Sequence, residues 1–224
     1  MKFVVFPGRG IEEGVAPYYE SAFNTWYRVW RDAFKNQFEM PGKVVHSDDF
    51  TRQSFWAGAF DGGHCAALVA YRAIDFRCPS AWRDSWFQFV PEDAWLKVTA
   101  DKPCRGYIMS NVTVDFQYRS QRILYPLTLA GNSYALSLGF DKMLGLSNNS
   151  KNIDKLARAI GGDPVWRGIQ VYNVDATFFS FSPEDVQSAI FSAPGEILSQ
   201  VKKTKILIGD KERVLYEYRD TVVC

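Results

Sequence analysis

Apolar residues along the chain fall into two rhythms, and the switches between them outline the elements. Residues 2–6 are a β-branched and aromatic run closed by Pro7-Gly8, which predicts a short first strand. Between Pro17 and Phe38 the large apolar residues Tyr19, Phe23, Trp26, Trp30 and Phe34 recur at intervals of three and four. That spacing predicts a helix with an aromatic stripe, stopped by Pro41-Gly42. Arg28, Arg31 and Lys35 stand off the stripe, and Asp48 and Asp49 follow just before a strand. Runs 53–60 and 64–76 flank Asp61-Gly62-Gly63, a strong hairpin signal.

Residues 79–100 read as two short helices inserted between strands, the second started by Pro91-Glu92-Asp93. They carry Trp82, Trp86, Phe87, Phe89 and Trp95, which suits either a lid over a pocket or a cap that packs down. A long strand over 107–116, a polar turn and a helix over 124–138 ended by Gly139 come next. A short buried strand over 142–146, the loop Ser147-Asn148-Asn149-Ser150 and a helix over 151–160 ended by Gly161-Gly162 follow. Residues 169–181 are strand-rich, bent or broken, and Ser182 with Glu184 and Asp185 starts a helix through Phe191. The tail offers 205–208, a Gly209-Asp210 turn and 213–218 as a last hairpin or a helical tail. With no repeat, linker or low-complexity segment, residues 1–224 read as one domain. The order of elements predicts an α/β (α+β) fold, a mixed central sheet with helices on both faces.

Composition narrows the functional classes. A net charge of +1 argues against bulk nucleic-acid binding. An aromatic share of 16%, concentrated in the first ninety or so residues, fits ordinary core or the lining of a pocket for an apolar ligand. Cys65, Cys78, Cys104 and Cys224 are scattered without a CxxC or a paired His, so a zinc site is not expected and reduced thiols are. The first residues lack a signal-peptide core and no stretch is long enough to span a membrane, so the expected setting is cytoplasmic, without integral membrane association.

The turn after the long strand carries the most specific pattern: Val114-Asp115-Phe116-Gln117-Tyr118-Arg119-Ser120-Gln121-Arg122-Ile123-Leu124. A strand feeding backbone donors into a helix N-terminus is a ready anion site. In frame and in Val114, Asp115, Tyr118, Arg119 and Ile123, the segment resembles the coenzyme A-binding turn of the GNAT superfamily of N-acyltransferases. Phe116, Ser120, Arg122 and Leu124 depart from that family's glycine-rich form. The helix around Trp30, Arg31 and Phe34, and the acidic Asp49 before the second strand, resemble acyl-homoserine-lactone synthases and long-chain N-acyl amino acid synthases, with the Arg-to-Phe spacing one residue short.

That resemblance implies a GNAT-like fold and an N-acyltransferase moving a fatty acyl group from acyl carrier protein to the amine of an amino acid or similar small acceptor. It implies no permanently bound cofactor. The donor is an acyl-phosphopantetheine or an acyl-coenzyme A, contacted by Val112, Val114, Arg119, Ser120, Gln121, Arg122, Asn148 and Asn149. Losing glycines crowds a diphosphate, whereas Arg119, Arg122, Lys151, Lys155 and Arg158 would suit docking of an acidic carrier. A coenzyme A-dependent N-acetyltransferase, or a non-catalytic ligand-binding domain on the same scaffold, stay open. The resemblance assigns polarisation of the thioester to the backbone N–H at or near Val114, and Asp115 or Asp49 to the amine's proton. Trp30, Arg31, Phe34 and Asn111 would bind substrate. Strict alternation along the strand puts Ser110 with Val112 and Val114, and Asn111, Thr113 and Asp115 on the other face. The family's Glu position holds Ile108. The amides of Asn148 and Asn149 suit pantetheine contacts, or equally caps for the next helix.

Overall fold

A computed structural model describes residues 1–9, 14–208 and 213–215. Its strands are β1 (Lys2–Pro7), β2 (Phe55–Asp61), β3 (His64–Asp75), β4 (Arg105–Val114), β5 (Lys142–Asn148), β6 (Gly162–Val171), β7 (Val174–Phe181), β8 (Lys205–Ile206) and β9 (Arg213–Val214). They form one mixed sheet in the order β6-β7-β5-β4-β3-β2-β1-β8-β9. Among the described residues, parallel pairing is confined to β4 with β5 and β1 with β8. The helices are α1 (Ala16–Asp32), α2 (Asp48–Thr51), α3 (Glu92–Thr99), α4 (Leu124–Leu138), α5 (Ile153–Ala159), α6 (Pro183–Phe191) and α7 (Gly195–Lys202).

Both faces of the sheet are covered, as the alternating elements predict. One core packs α4, α5, α6 and α7 on the side of Val69, Tyr71, Met109 and Phe181. Helix α4 is buried over most of its circumference, which its almost continuous apolar sequence requires. The other face carries α1 and α2 over Leu68, Ala70 and Trp56, and the 79–99 segment over Ile108 and Phe178. Phe50 is the pin of that side: fully buried, it stacks on Trp56 at 4.5 Å and meets Trp26 at 5.4 Å. Burying such a ring contributes roughly 1.5–3 kcal/mol, enough to hold the one-turn α2 in place.

Several expected elements take a different form. The stripe helix does not run regularly to Phe38: α1 ends at Asp32 and continues as a π-turn over Ala33–Gln37, with Phe38 N–H donating to Ala33 C=O at 2.9 Å. Asp48 and Asp49 open α2, where carboxylates favour the helix N-terminus, and the strand starts only at Phe55. The 79–100 insertion is two 3₁₀ turns, Pro79–Arg83 and Ser85–Phe89, followed by α3. The broken run at 169–181 is the end of β6 and β7, joined through Tyr172 and Asn173 at φ 48° and 62°. Positive φ at both central residues is what a tight two-residue hairpin needs. The Lys205–Ile206 and Arg213–Val214 strands pair antiparallel. The Gly209-Asp210 turn lies outside the described residues.

Candidate active site

Strands β4 and β5 pair in parallel from Gly106↔Lys142 to Met109↔Gly145 and then separate. Beyond that point β5 continues along β7 to Asn148↔Ala176, while β4 stays with β3. The parting leaves a wedge-shaped opening in the middle of the sheet, reached from both faces.

Within that opening β4 is irregular. Leu68 pairs with Thr113 and Ala70 with Ser110, so Asn111 and Val112 together oppose Val69. Asn111 sits at φ 49°, in the left-handed region that Asn tolerates better than most residues. A bulge of this kind leaves a residue out of the ladder and re-aims the side chains around it. The irregular backbone therefore falls at Asn111 and Val112 and not at Val114, which pairs with Ala67. Strict alternation also fails here: Ser110 lies on the same side as Asn111, not with Val112 and Val114, because the bulge turns the strand between them.

On the α1 side the opening leads into a cavity of about 320 Å³. Its floor is Ser110 and Asn111 of β4 with Leu146, Ser147 and Asn148 of β5. One wall is aromatic: Trp26, Trp30, Phe34 and Phe38 from α1 and the π-turn, Trp86 and Phe89 from the insertion, and Tyr172 from the hairpin tip. The π-turn has a purpose at this point, since it sets Phe34 and Phe38 against Tyr172 at 5.1 and 5.7 Å. Asn173 secures the tip by donating from Nδ2 to Phe38 C=O at 3.0 Å. Burial pushes the Tyr172 phenol pKa up.

The far wall is polar. Asp49, Arg52 and Gln53, presented by α2 and the residues after it, meet Arg72 of β3. Arg52 pairs with Asp49 at 2.8 Å, and Arg72 with Asp84 at 2.7 Å. On the opposite side of the sheet lies a tight apolar cleft of about 20 Å³ lined by Met109, Val112, Gly145, Leu156, Phe179 and Phe181. Leu146 and Ser147 border both spaces.

Of the residues expected from sequence, Trp30, Phe34, Asp49, Asn111 and Asn148 meet at the cavity, and Val112 faces the apolar cleft. Asn148 also caps the following 3₁₀ turn, its Oδ1 accepting from Ser150 N–H at 3.0 Å. Asn149 points elsewhere, donating to Asp175 at 2.6 Å. Arg31 is exposed with its guanidinium 5.7 Å from the Tyr27 ring, away from the cavity. Ile108 is fully buried against the insertion, so no base stands at that position.

Asp115 lies outside the cavity. Its side chain is 1% exposed and accepts from Arg28 and, at 2.7 Å, from His64 Nε2. Burial pushes its pKa up. The hydrogen bonds from His64 and Gln117 N–H and the charge of Arg28 outweigh that and hold the carboxyl below the usual range. Next to it, Trp30 Nε1 donates to Thr113 Oγ1 at 3.0 Å. These bonds tie the end of β4 to α1 and to the start of β3.

The polar turn after β4 is a 3₁₀ segment, Phe116–Tyr118, with Arg119, Ser120, Gln121 and Arg122 exposed before α4. Arg119 stacks on Phe116 at 4.3 Å, and Arg122 sits at φ 50°. Lys151, Lys155 and Arg158 are exposed as well. Sequence reasoning passed over Arg72, Gln53 and Tyr172, all of which line the cavity. Only Arg72 left a signal: it is a lone charge inside the apolar run of β3.

No family model and no curated protein sequence matches the chain. Solved structures do. FeeM, an N-acyl amino acid synthase from uncultured soil microbes, is 14% identical, with a TM-score of 0.54 over 84% of this chain and 94% of that one. BjaI, a CoA-dependent acyl-homoserine lactone synthase with MTA bound, is 13% identical, with a TM-score of 0.59 over 97% and 98%. An acyl-CoA N-acyltransferase from Pseudomonas aeruginosa is 9% identical, with a TM-score of 0.52 over 81% and 99%. The chain has the GNAT N-acyltransferase fold. Within the GNAT fold of this chain, the parted strands, the bulge and the two flanking spaces lie together at the centre of the sheet. Among the described residues, no helix is long and apolar enough to cross a membrane.

Proposed function

We propose that the protein is an N-acyltransferase that moves a fatty acyl group from the phosphopantetheine arm of an acyl carrier protein to the amine of an amino acid or similar acceptor. The observation that carries this reading is the opening between β4 and β5, with a bulge on one edge, an apolar cleft on one side and a cavity with a polar wall on the other. A thioester needs that asymmetry: an apolar neighbour for the donor, a polar chamber for the amine, and a gap where the two meet.

In this reading the carbonyl oxygen rests on backbone N–H groups of the Asn111–Val112 bulge, donors fixed before reaction and worth more there than in water. The amine nitrogen attacks the carbonyl carbon from the cavity side. The C–N bond forms, the C–S bond breaks, and the nitrogen's proton leaves through Asp49 or water while the thiolate takes up a proton from solvent. Trp30 and Phe34 hold the acceptor's apolar part. Asn148 meets the pantetheine amides at the exit. Arg119, Ser120, Gln121 and Arg122 meet the phosphate, and Arg119 and Arg122 with Lys151, Lys155 and Arg158 attract the acidic carrier. The FeeM-like fold supports an amino acid as acceptor. Coenzyme A is the alternative donor, and BjaI is described as CoA-dependent.

The test is thiol release. The protein is given acyl carrier protein and coenzyme A thioesters of matched chain length with a panel of amino acids. Faster release from the carrier thioester supports the proposal, and release from coenzyme A thioesters alone sinks the carrier reading.

A further inference from the structure

The apolar cleft is too small for the arm that the proposed reaction brings to it. Its volume is about 20 Å³. That is room for roughly one or two waters, and a phosphopantetheine thioester is far larger. One side of the cleft is closed by Ile153, Leu156 and Ala157 of α5 and by Ile160 just after it. These residues follow the spacing i, i+3, i+4, i+7 and form one apolar stripe turned onto the sheet. Lys155 and Arg158 stand on the opposite side of the helix, exposed, and Lys151 is exposed in the turn before it. Among the described residues, none of these three cations pairs with a carboxylate. Arg158 reaches back instead, its guanidinium 5.6 Å from the ring of Phe179, a fully buried wall of the cleft. A cation on the outer face is thus also a clasp on the closed cleft.

The two ends of α5 are held unequally. At the far end Ile160 is fully buried, and Gly161 at φ 93° packs so closely that a Cβ there would lie 2.6 Å from Asp185 C=O. At the near end Ile153 and Leu156 are only half-buried, and the chain enters the helix through Asn152 at φ 57°. A helix of seven residues has little stability of its own, so the near end depends on those two side chains to stay down. Lys151 and Lys155 lie at that same end.

We infer that α5 is a gate on the donor cleft, opened when the acidic carrier docks on Lys151, Lys155 and Arg158, so that this helix selects a carrier-bound thioester over a free one. This rests on the cleft being the donor site of the proposed acyl transfer. A partner shifts closed to open only by binding the open form better. Acidic groups that draw Arg158 off Phe179 supply that difference, because the clasp and the docking face share one side chain. Charge attraction alone would gather the carrier at the surface and leave the step after binding unchanged.

The test is steady-state thiol release from two donors with the same acyl chain, an acyl carrier protein thioester and S-acyl pantetheine, with a panel of amino acids as acceptors. The whole protein is compared with Leu156→Ala, with the pair Lys155→Glu and Arg158→Glu, and with all three changes together. The parent should favour the carrier thioester by about a hundredfold in kcat/KM, and Leu156→Ala should cut that ratio about tenfold by speeding the pantetheine thioester. Charge reversal should lower kcat at saturating carrier thioester about tenfold, but only about threefold or less once Leu156→Ala has opened the cleft. A parent without preference, an unchanged ratio in Leu156→Ala, or a charge reversal that raises KM alone overturns the gate and leaves acyl transfer standing. Thiol release from neither donor overturns both. The charge-reversed pair lies on the exposed face, so its split between kcat and KM decides the matter should Leu156→Ala fail to fold.

Discussion

Asn111 is where backbone conformation and the proposed chemistry meet, so its replacement is the most informative perturbation. It holds φ 49° at the bulge, with Val112 as the second residue opposing Val69. A β-branched residue in the left-handed region costs roughly 1–2 kcal/mol more than Asn or Gly. Asn111→Val therefore strains the bulge or irons it out. Ironing it out slides the end of β4 by one residue and flips its faces. Thr113 then leaves Trp30, and Asp115 leaves Arg28 and His64. Either way a 224-residue chain should lose about 2–8 °C in Tm, taking roughly 2–4 °C per kcal/mol. Asn111→Gly keeps the dihedral and should stay within about 1 kcal/mol of the parent. With the backbone donors displaced, kcat should fall about a hundredfold or more in the valine variant. The glycine variant should keep kcat within about tenfold of the parent while raising KM, since it loses only the side-chain amide. Scanning calorimetry and thiol release read both effects. A valine variant as stable and as active as the parent would refute the reasoning, because neither the dihedral nor the bulge would then matter.

Other consequences follow from the same structure. Asp115→Asn should cost about 1–2 kcal/mol at neutral pH, a figure cut back because Arg28 and His64 are 45% and 43% exposed. The folded-state pKa of Asp115 lies below its ordinary value of 3.8, so its contribution is full above that value and fades as pH falls through the lower folded one. Urea titrations at pH 7 and pH 3 should show the gap shrink at acid pH, and a gap that does not change contradicts the assignment. Gly131→Ala pits a helix-propensity gain of about 1 kcal/mol against a Cβ placed 2.4 Å from the fully buried Tyr71 hydroxyl. Overpacking of roughly 1–3 kcal/mol should win, and a raised Tm would show that Tyr71 can move. Arg122→Glu should weaken binding to acyl carrier protein in surface plasmon resonance, with the wild-type affinity itself falling at high salt. An unchanged affinity would move the docking face elsewhere.

Much of the scaffold was legible because the chain punctuates itself. Asp61-Gly62-Gly63 gave the β2–β3 turn, Gly139 closed α4, and Ser182 caps α6 with its hydroxyl on Asp185 N–H at 3.1 Å. β6 was not legible. It is an edge strand with Pro164 inside it and two register shifts, features that sheets tolerate at edges and that erase the alternating pattern. The site was half legible. Trp30, Phe34 and Asp49 could be picked out, but local spacing cannot foresee a bulge that turns Ser110 onto the face of Asn111. Nor can it foresee a carboxylate, Asp115, claimed by an arginine 87 residues earlier in the chain. Arg72 needed the fold to give it meaning, since only the sheet brings it to the wall that α2 builds.

The central claim is acyl transfer at the β4–β5 opening. The most direct measurement follows thiol release and amide formation together, by thiol titration and mass spectrometry, with an acyl carrier protein thioester and an amino acid. The account predicts one thiol released per N-acyl amino acid formed, dependent on the amine and lost in Asn111→Val. Thioester left intact with every amine, from both carrier and coenzyme A donors, would contradict it.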